Sequence, residues 1–150
     1  MKVFRISKCN FIDDLAGTGA ALYGGRWNSK GIYILYTAAT ASLALLEIIV
    51  HTSTFPKEDF CMLEIDIPEN KILELKEKQL PADWRKYPSP SVLKKIGDAF
   101  CRDREYLALK IPSVILPEEF NYLINPEHPD FKKIKVIKKN RITIDERLKH

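Results

Sequence analysis

The chain has 150 residues, 45% of them hydrophobic and 29% charged, with a formal net charge of +4. That length suits one domain with a substantial core, and the balance of apolar and charged residues excludes disorder, collagen-like repeats and a disulfide-dense scaffold. No run approaches the ~18 apolar residues of a membrane span, and Met1-Lys2-Val3-Phe4-Arg5 does not begin a secretory leader, so a cytoplasmic protein without membrane association is expected.

Taken in order, Val3 to Ile6 reads as a short opening strand, followed by a loop through Gly17-Thr18-Gly19 and Gly24-Gly25. Ile32 to Tyr36 is β-branched and aromatic, which predicts a strand. Ala41 to His51, rich in Ala, Leu and Ile, predicts a helix that Thr37 or Thr40 can cap. Phe60 to Ile67 alternates as a strand ending at Pro68, and Lys71 to Leu75 is a further strand candidate. After the prolines Pro81, Pro88 and Pro90, Ser91 to Arg104 fits a helix with Val92, Ile96, Ala99 and Phe100 on one side. Short strands suit Leu107 to Lys110, Ser113 to Leu116 and Ile134 to Ile137. No repeat is present, and the irregular order of elements predicts a single α+β domain rather than a doubly wound sheet.

The charge is uneven. Lys132, Lys133, Lys135, Lys138, Lys139, Arg141, Arg147 and Lys149 crowd the last nineteen residues, opposed only by Asp145 and Glu146. With Ile134, Val136 and Ile137 among them, a solvated strand face is the expected reading; contact with nucleic acid or an acidic partner is the alternative. Cys9, Cys61 and Cys101 are odd in number, far apart and without C-x-x-C spacing, so buried reduced thiols are expected. They give neither a disulfide framework nor a thiolate metal site. His51, His128 and His150 lack metal-site or triad spacing, and no metal is expected.

Two features stand out chemically. The glycine segment lacks the third glycine of a dinucleotide fingerprint and the Lys-Ser/Thr of a phosphate loop, which argues against both folds. What it delivers is Arg26, a permanently charged fork suited to phosphate or carboxylate, although an arginine beside a tryptophan such as Trp27 is more often a surface or stacking residue. Glu47 is the stronger anomaly, because its neighbours Leu45, Leu46, Ile48, Ile49 and Val50 are all apolar. A helix apolar on nearly all sides is expected to be buried, and a carboxylate in it must be paired, neutralised or open to a cavity. A buried ion pair and a functional carboxylate are both open on this evidence. Ser113 shows no nucleophile-elbow pattern, so a serine hydrolase is not indicated, and Tyr36 on its own reads as a strand aromatic.

Together these segments resemble the RES domain, a family named for a characteristic arginine, glutamate and serine. The resemblance runs through Gly19-Ala20, Gly24-Gly25-Arg26-Trp27-Asn28, Gly31, Tyr36-Thr37-Ala38 and Ser42-Leu43-Ala44-Leu45-Leu46-Glu47. It continues with Ile111-Pro112-Ser113, Asn121 to Pro126 and His128-Pro129. It implies a mixed β core similar to ADP-ribosyltransferases, flanked by helices. It also implies a toxin that degrades NAD+, some members by phosphorolysis, and a partner antitoxin of Xre-like helix-turn-helix type that covers the active site. On this resemblance Arg26, Glu47 and Ser113 are the catalytic candidates, with Tyr36, Asn28 and Asn125 beside Arg26 as substrate-binding candidates. NAD+ enters as substrate with inorganic phosphate as a co-substrate, and no resident cofactor is implied. Self-association as a homodimer stays open, and direct binding of nucleic acid is not expected. ADP-ribosyl transfer to a macromolecule, an RNA-cleaving or RNA-binding toxin built on the lysine tail, and a purely protein-binding module are the competing readings.

Overall fold

The computed structural model describes residues 1–52 and 57–148; Lys149 and His150, counted above with the tail and the histidines, lie outside the described residues. Seven strands form one mixed sheet in the order β4-β5-β6-β2-β1-β3-β7. They are β1 (Lys2–Lys8), β2 (Leu35–Ala38), β3 (Phe60–Asp66), β4 (Ile72–Glu74), β5 (Ala108–Pro112), β6 (Phe120–Ile124) and β7 (Lys135–Ile142). Strands β4 and β5 are parallel, and the other described pairs are antiparallel. Among the described residues three α-helices accompany the sheet, α1 (Thr18–Tyr23), α2 (Ala41–Val50) and α3 (Ser91–Asp103), with three short 3-10 turns besides. This is the α+β architecture the element order predicts.

The sheet is divided at its centre. Strand β1 pairs with β3 along its whole length, from Lys2↔Asp66 to Lys8↔Phe60, yet it meets β2 at the single register pair Phe4↔Ala38. On one side of this seam lie β1, β3 and β7; on the other lie β2, β6, β5 and β4.

Alternation along the strands separates the two faces. Val3, Leu35, Leu63, Ile65, Tyr122 and Ile124 point to one face and pack with Ile12 from the loop after β1. On the opposite face, Leu109, Ile111 and Leu123 pack against Leu93, Phe100 and Cys101 of α3, with Tyr36 at the margin. Ala38 and Ile6, also on that face, pack against Leu43 and Ala44 of α2. Both long helices therefore cover the same face, α3 over β5 and β6 and α2 across the seam between β1 and β2.

Helix α2 starts where expected: the Thr40 hydroxyl accepts the Leu43 N–H at 3.1 Å, closing the first turn. Its burial does not follow the sequence expectation. Leu43 and Ala44 are buried, whereas Leu46 is 36% and Val50 62% exposed. A helix lying on one sheet face covers only the stripe that meets the sheet, and no other described element covers its outer flank.

Four further expectations need correction. Thr18–Tyr23 is helical inside the glycine segment, entered through Gly17 in the left-handed region at φ 73°, where an added Cβ would sit 2.5 Å from the Ile34 carbonyl oxygen. The strand expected over Ile32 to Tyr36 begins only at Leu35. Ser113 to Leu116 is not a strand: β5 ends at Pro112, and the Ser113 hydroxyl accepts the N–H groups of Ile115 and Leu116, bending the chain into a turn. Cys9 and Cys61 are joined in a disulfide, because antiparallel β1 and β3 bring positions 52 residues apart in the chain side by side; Cys101 alone is a free, buried thiol. The basic segment is the edge strand β7, mostly exposed as expected, with Lys139 paired to Asp13 at 2.8 Å.

Candidate active site

Glu47 owes its orientation to helical spacing. It follows Leu43 by four positions and Ala44 by three, so it shares their inward stripe and points to the sheet rather than to solvent. Its side chain is 27% exposed, at the margin of the packed interface. One carboxylate oxygen, Oε1, accepts the Asn121 amide at 2.8 Å and the Ser113 hydroxyl at 3.2 Å. The other, Oε2, has the ring of His51, one turn on, with Nε2 at 4.0 Å, beyond hydrogen-bond distance; that imidazole is largely exposed.

Asn121 and Ser113 come from the neighbouring half of the sheet. Asn121 on β6 pairs with Ala38 of β2 and with Ile111 of β5, which places it at the seam beneath α2. Ser113 leaves β5 one residue after the strand ends and is fully buried, its N–H donating to the Glu119 carbonyl at 2.8 Å. No strand is expected over Phe120 to Ile124 from sequence, so Asn121 has no face to mark it out there, and Asn125 is the candidate instead.

Arg26 approaches from the glycine segment. One terminal nitrogen, Nη1, donates to the carbonyls of Trp84 at 2.9 Å and Lys86 at 3.1 Å. Burial pulls its guanidinium below the ordinary value, and Glu47, then Tyr36 and Tyr87, act in the opposite sense. Arg26 and Glu47 thus feel each other's charge, yet among the described residues no ion pair joins them. Nε and Nη2 of Arg26 make none of the hydrogen bonds of the described residues.

The chain around Arg26 is tightly built. The Tyr36 hydroxyl donates to Asn28 Oδ1 at 2.7 Å and accepts the Trp27 N–H at 3.2 Å. Burial pushes that hydroxyl's pKa well above its usual value of 10.0. A Cβ on Gly25 would lie 2.7 Å from the Tyr36 hydroxyl and 2.8 Å from Asn28 Oδ1, so glycine is required there by close approach. The segment that Arg26 holds is tied to the Ser113 turn as well, because Arg85 donates to the carbonyls of Val114 at 2.9 Å and Ile115 at 3.4 Å.

The structure therefore brings together Glu47, Ser113 and Arg26, with Tyr36 supporting the arginine loop. Two predicted residues are engaged in internal hydrogen bonds. Asn28 is fully buried, and its amide donates to the carbonyls of Ala20, Ser29 and Ile32, which makes it a brace of the loop with no donor left for a ligand. Asn125, also fully buried, donates to the Cys101 carbonyl and accepts the Glu127 N–H, joining the end of α3 to the turn after β6. A cavity of about 510 Å³ opens near Lys8, Cys9, Asp59 and Arg141 and contains none of the site residues. Among the described residues no group of His, Cys, Asp or Glu is arranged to hold a metal ion, and no helix is long and apolar enough to cross a membrane.

The RES domain model matches residues 2–146 of this chain, nearly its whole length. The chain belongs to the RES domain family. It is 38% identical over 151 residues to Toxin Res of Photorhabdus laumondii, covering 99% of this chain and 97% of that protein. It is also 38% identical over 141 residues to the Prs ADP-ribosylating toxin of a Sphingobium species, covering 91% of this chain and 87% of the relative. Among solved structures, the Mycobacterium tuberculosis MbcT–MbcA toxin–antitoxin complex contains a chain of the same fold, with a TM-score of 0.81 at 18% identity, over 95% of this chain and 84% of that one.

Proposed function

We propose that this chain is a toxin enzyme that cleaves the bond between nicotinamide and ribose in NAD+, with Glu47 stabilising the ribosyl cation. The observation that carries this reading is the asymmetry of Glu47. Asn121 and Ser113 hold Oε1, while Oε2 is left to accept ribose hydroxyls or face the developing positive charge. Arg26, near enough to sense Glu47 but not paired with it, supplies free N–H donors for the pyrophosphate or for inorganic phosphate.

In this reaction the carbon–nitrogen bond breaks and its electron pair goes to the pyridinium nitrogen, so nicotinamide leaves as a neutral base and needs no acid. The sugar carbon left electron-poor is captured by an oxygen of phosphate or water; a proton lost from attacking water passes to solvent. As in glycoside cleavage, a carboxylate beside the oxocarbenium-like centre lowers the barrier. The remaining work is positioning by Arg26, Ser113 and Asn121. No metal or bound cofactor enters any of these steps.

The relative described as an ADP-ribosylating toxin favours a second reading, in which the same cation is captured by a group on a macromolecule. Because a chain of the same fold occurs in a toxin–antitoxin complex, an antitoxin of Xre-like type that blocks this site is the partner proposed here. Purified chain incubated with labelled NAD+, with and without phosphate, separates the outcomes. A phosphorylated ADP-ribose product denotes phosphorolysis, free ADP-ribose hydrolysis, and labelled macromolecule transfer. Glu47→Gln should abolish all three while keeping the wild-type melting profile; NAD+ loss at the wild-type rate in that variant would refute the mechanism.

A further inference from the structure

Helix α3 supplies no group to the proposed reaction, yet it grips the loop that carries Arg26 at two successive residues. At Gly97 the helix meets the backbone of Trp27 so closely that an added Cβ would overlap the Trp27 carbonyl oxygen. At the next position Asp98, only 5% exposed, uses both carboxylate oxygens on one residue of the same loop: Oδ1 accepts the Ser29 N–H at 2.9 Å and Oδ2 the Ser29 hydroxyl at 2.6 Å. Neither hydrogen bond involves a group of the site described above.

A carboxylate is costly to bury, and a helix interior is stable without one. Here its two bonds run to a loop from a different part of the chain, 69 residues earlier. Arg26 lies between Gly25, which is held against Tyr36 and Asn28, and Trp27, which is pressed against Gly97. Asn28 then braces the loop from within, and Ser29 is the residue that ties it to α3 by hydrogen bonds. Released at Ser29, the loop would keep its buried Trp27 ring and the internal bonds of Asn28 but lose the hydrogen bonds that fix it to α3 on the C-terminal side of Arg26.

We propose that Asp98 is a positioning residue: through Ser29 it holds the Arg26 loop at the spacing from Glu47 that the pyrophosphate-bearing substrate requires. This inference rests on the NAD+ reading of the site. It implies that Asp98 acts on ligand binding through Arg26 alone, which distinguishes it from a residue serving only fold stability.

The test is a mutant cycle read by calorimetric titration of ADP-ribose, with melting profiles taken in parallel. Asp98→Ala should raise the Kd about tenfold, since small displacements of a binding group cost affinity steeply. In an Arg26→Ala background the same change should alter the Kd by less than about twofold, because coupled residues are non-additive. Asp98→Asn, whose carboxamide can accept the Ser29 N–H and donate to its hydroxyl, should restore binding to within about threefold of wild type. If Asp98→Ala does not fold, Ser29→Ala removes the 2.6 Å bond alone and should show a smaller loss with the same dependence on Arg26. An unchanged Kd in a folded Asp98→Ala or Ser29→Ala chain, or an equal loss with and without Arg26, would overturn the proposal. Failure of the wild-type chain to bind ADP-ribose would instead sink the NAD+ reading on which it stands.

Discussion

Replacing Asn121 with leucine, which keeps the approximate shape and removes the donor, tests the hold on Glu47 most directly. The amide lies 2.8 Å from Oε1, the shorter of the two contacts to that oxygen. A hydrogen bond to a charged group contributes about 1.5–3 kcal/mol. If all of it is expressed in the transition state, at ~1.4 kcal/mol per decade, kcat/KM should fall about tenfold to a hundredfold. The assay is steady-state NAD+ consumption on protein whose melting profile matches wild type. Ser113→Ala provides the contrast. Its hydroxyl is farther from Oε1, at 3.2 Å, but also accepts two backbone N–H groups, so it should cost less in rate and more in stability. A folded Asn121→Leu chain with kcat/KM within about twofold of wild type would refute the claim that Oε1 is held for catalysis.

Three other outcomes follow from the structure. Burial raises the Tyr36 hydroxyl above 10.0, so the unfolded chain loses that proton first as pH rises; stability is intact below pH 10 and declines above it, and Tyr36→Phe should flatten this decline in chemical denaturation midpoints measured from pH 9 to 11. Without reductant, the denatured chain should show one titratable thiol, Cys101, and with reductant three; in the native chain Cys101 should react slowly, its thiol being buried and pushed up to about 12. Leu43→Ala, at a fully buried position, should destabilise by about 2–5 kcal/mol, whereas Val50→Lys on the same helix should stay within ~0.5 kcal/mol by denaturant titration.

Features set by near neighbours were legible in advance. A threonine cap on α2, open in sequence between Thr37 and Thr40 and made by Thr40, the alternation of Phe60 to Ile67, and the span of α3 depend on spacing within a few residues, and the structure has them close to where the pattern puts them. The order and spacing of the motifs from Gly19 to Pro129, with Arg26, Glu47 and Ser113 among them, suggested the family, which the match over residues 2–146 shows. Strand β6 had no such local signal: Phe120 to Ile124 gains its strand character from lying between β5 and β2, and with it went the recognition of Asn121. Asn125 meets a related limit: the structure has it buried and bracing the end of α3, and such an asparagine looks the same in sequence as one facing a ligand.

By itself, then, the sequence determined the α+β class, the main helices and strands, and the presence of a carboxylate in apolar company at Glu47. Tertiary structure decided what that carboxylate meets. Ser113 is 66 and Asn121 74 residues beyond Glu47, and only the register of β6 against β2 and β5 brings them to one oxygen. The same holds for the Cys9–Cys61 bond and for the exposed flank of α2. Local periodicity assigns a side chain to a face of its own element, but the partner on the far side of that face is chosen by strand pairing and packing between distant segments, which no short window of sequence contains.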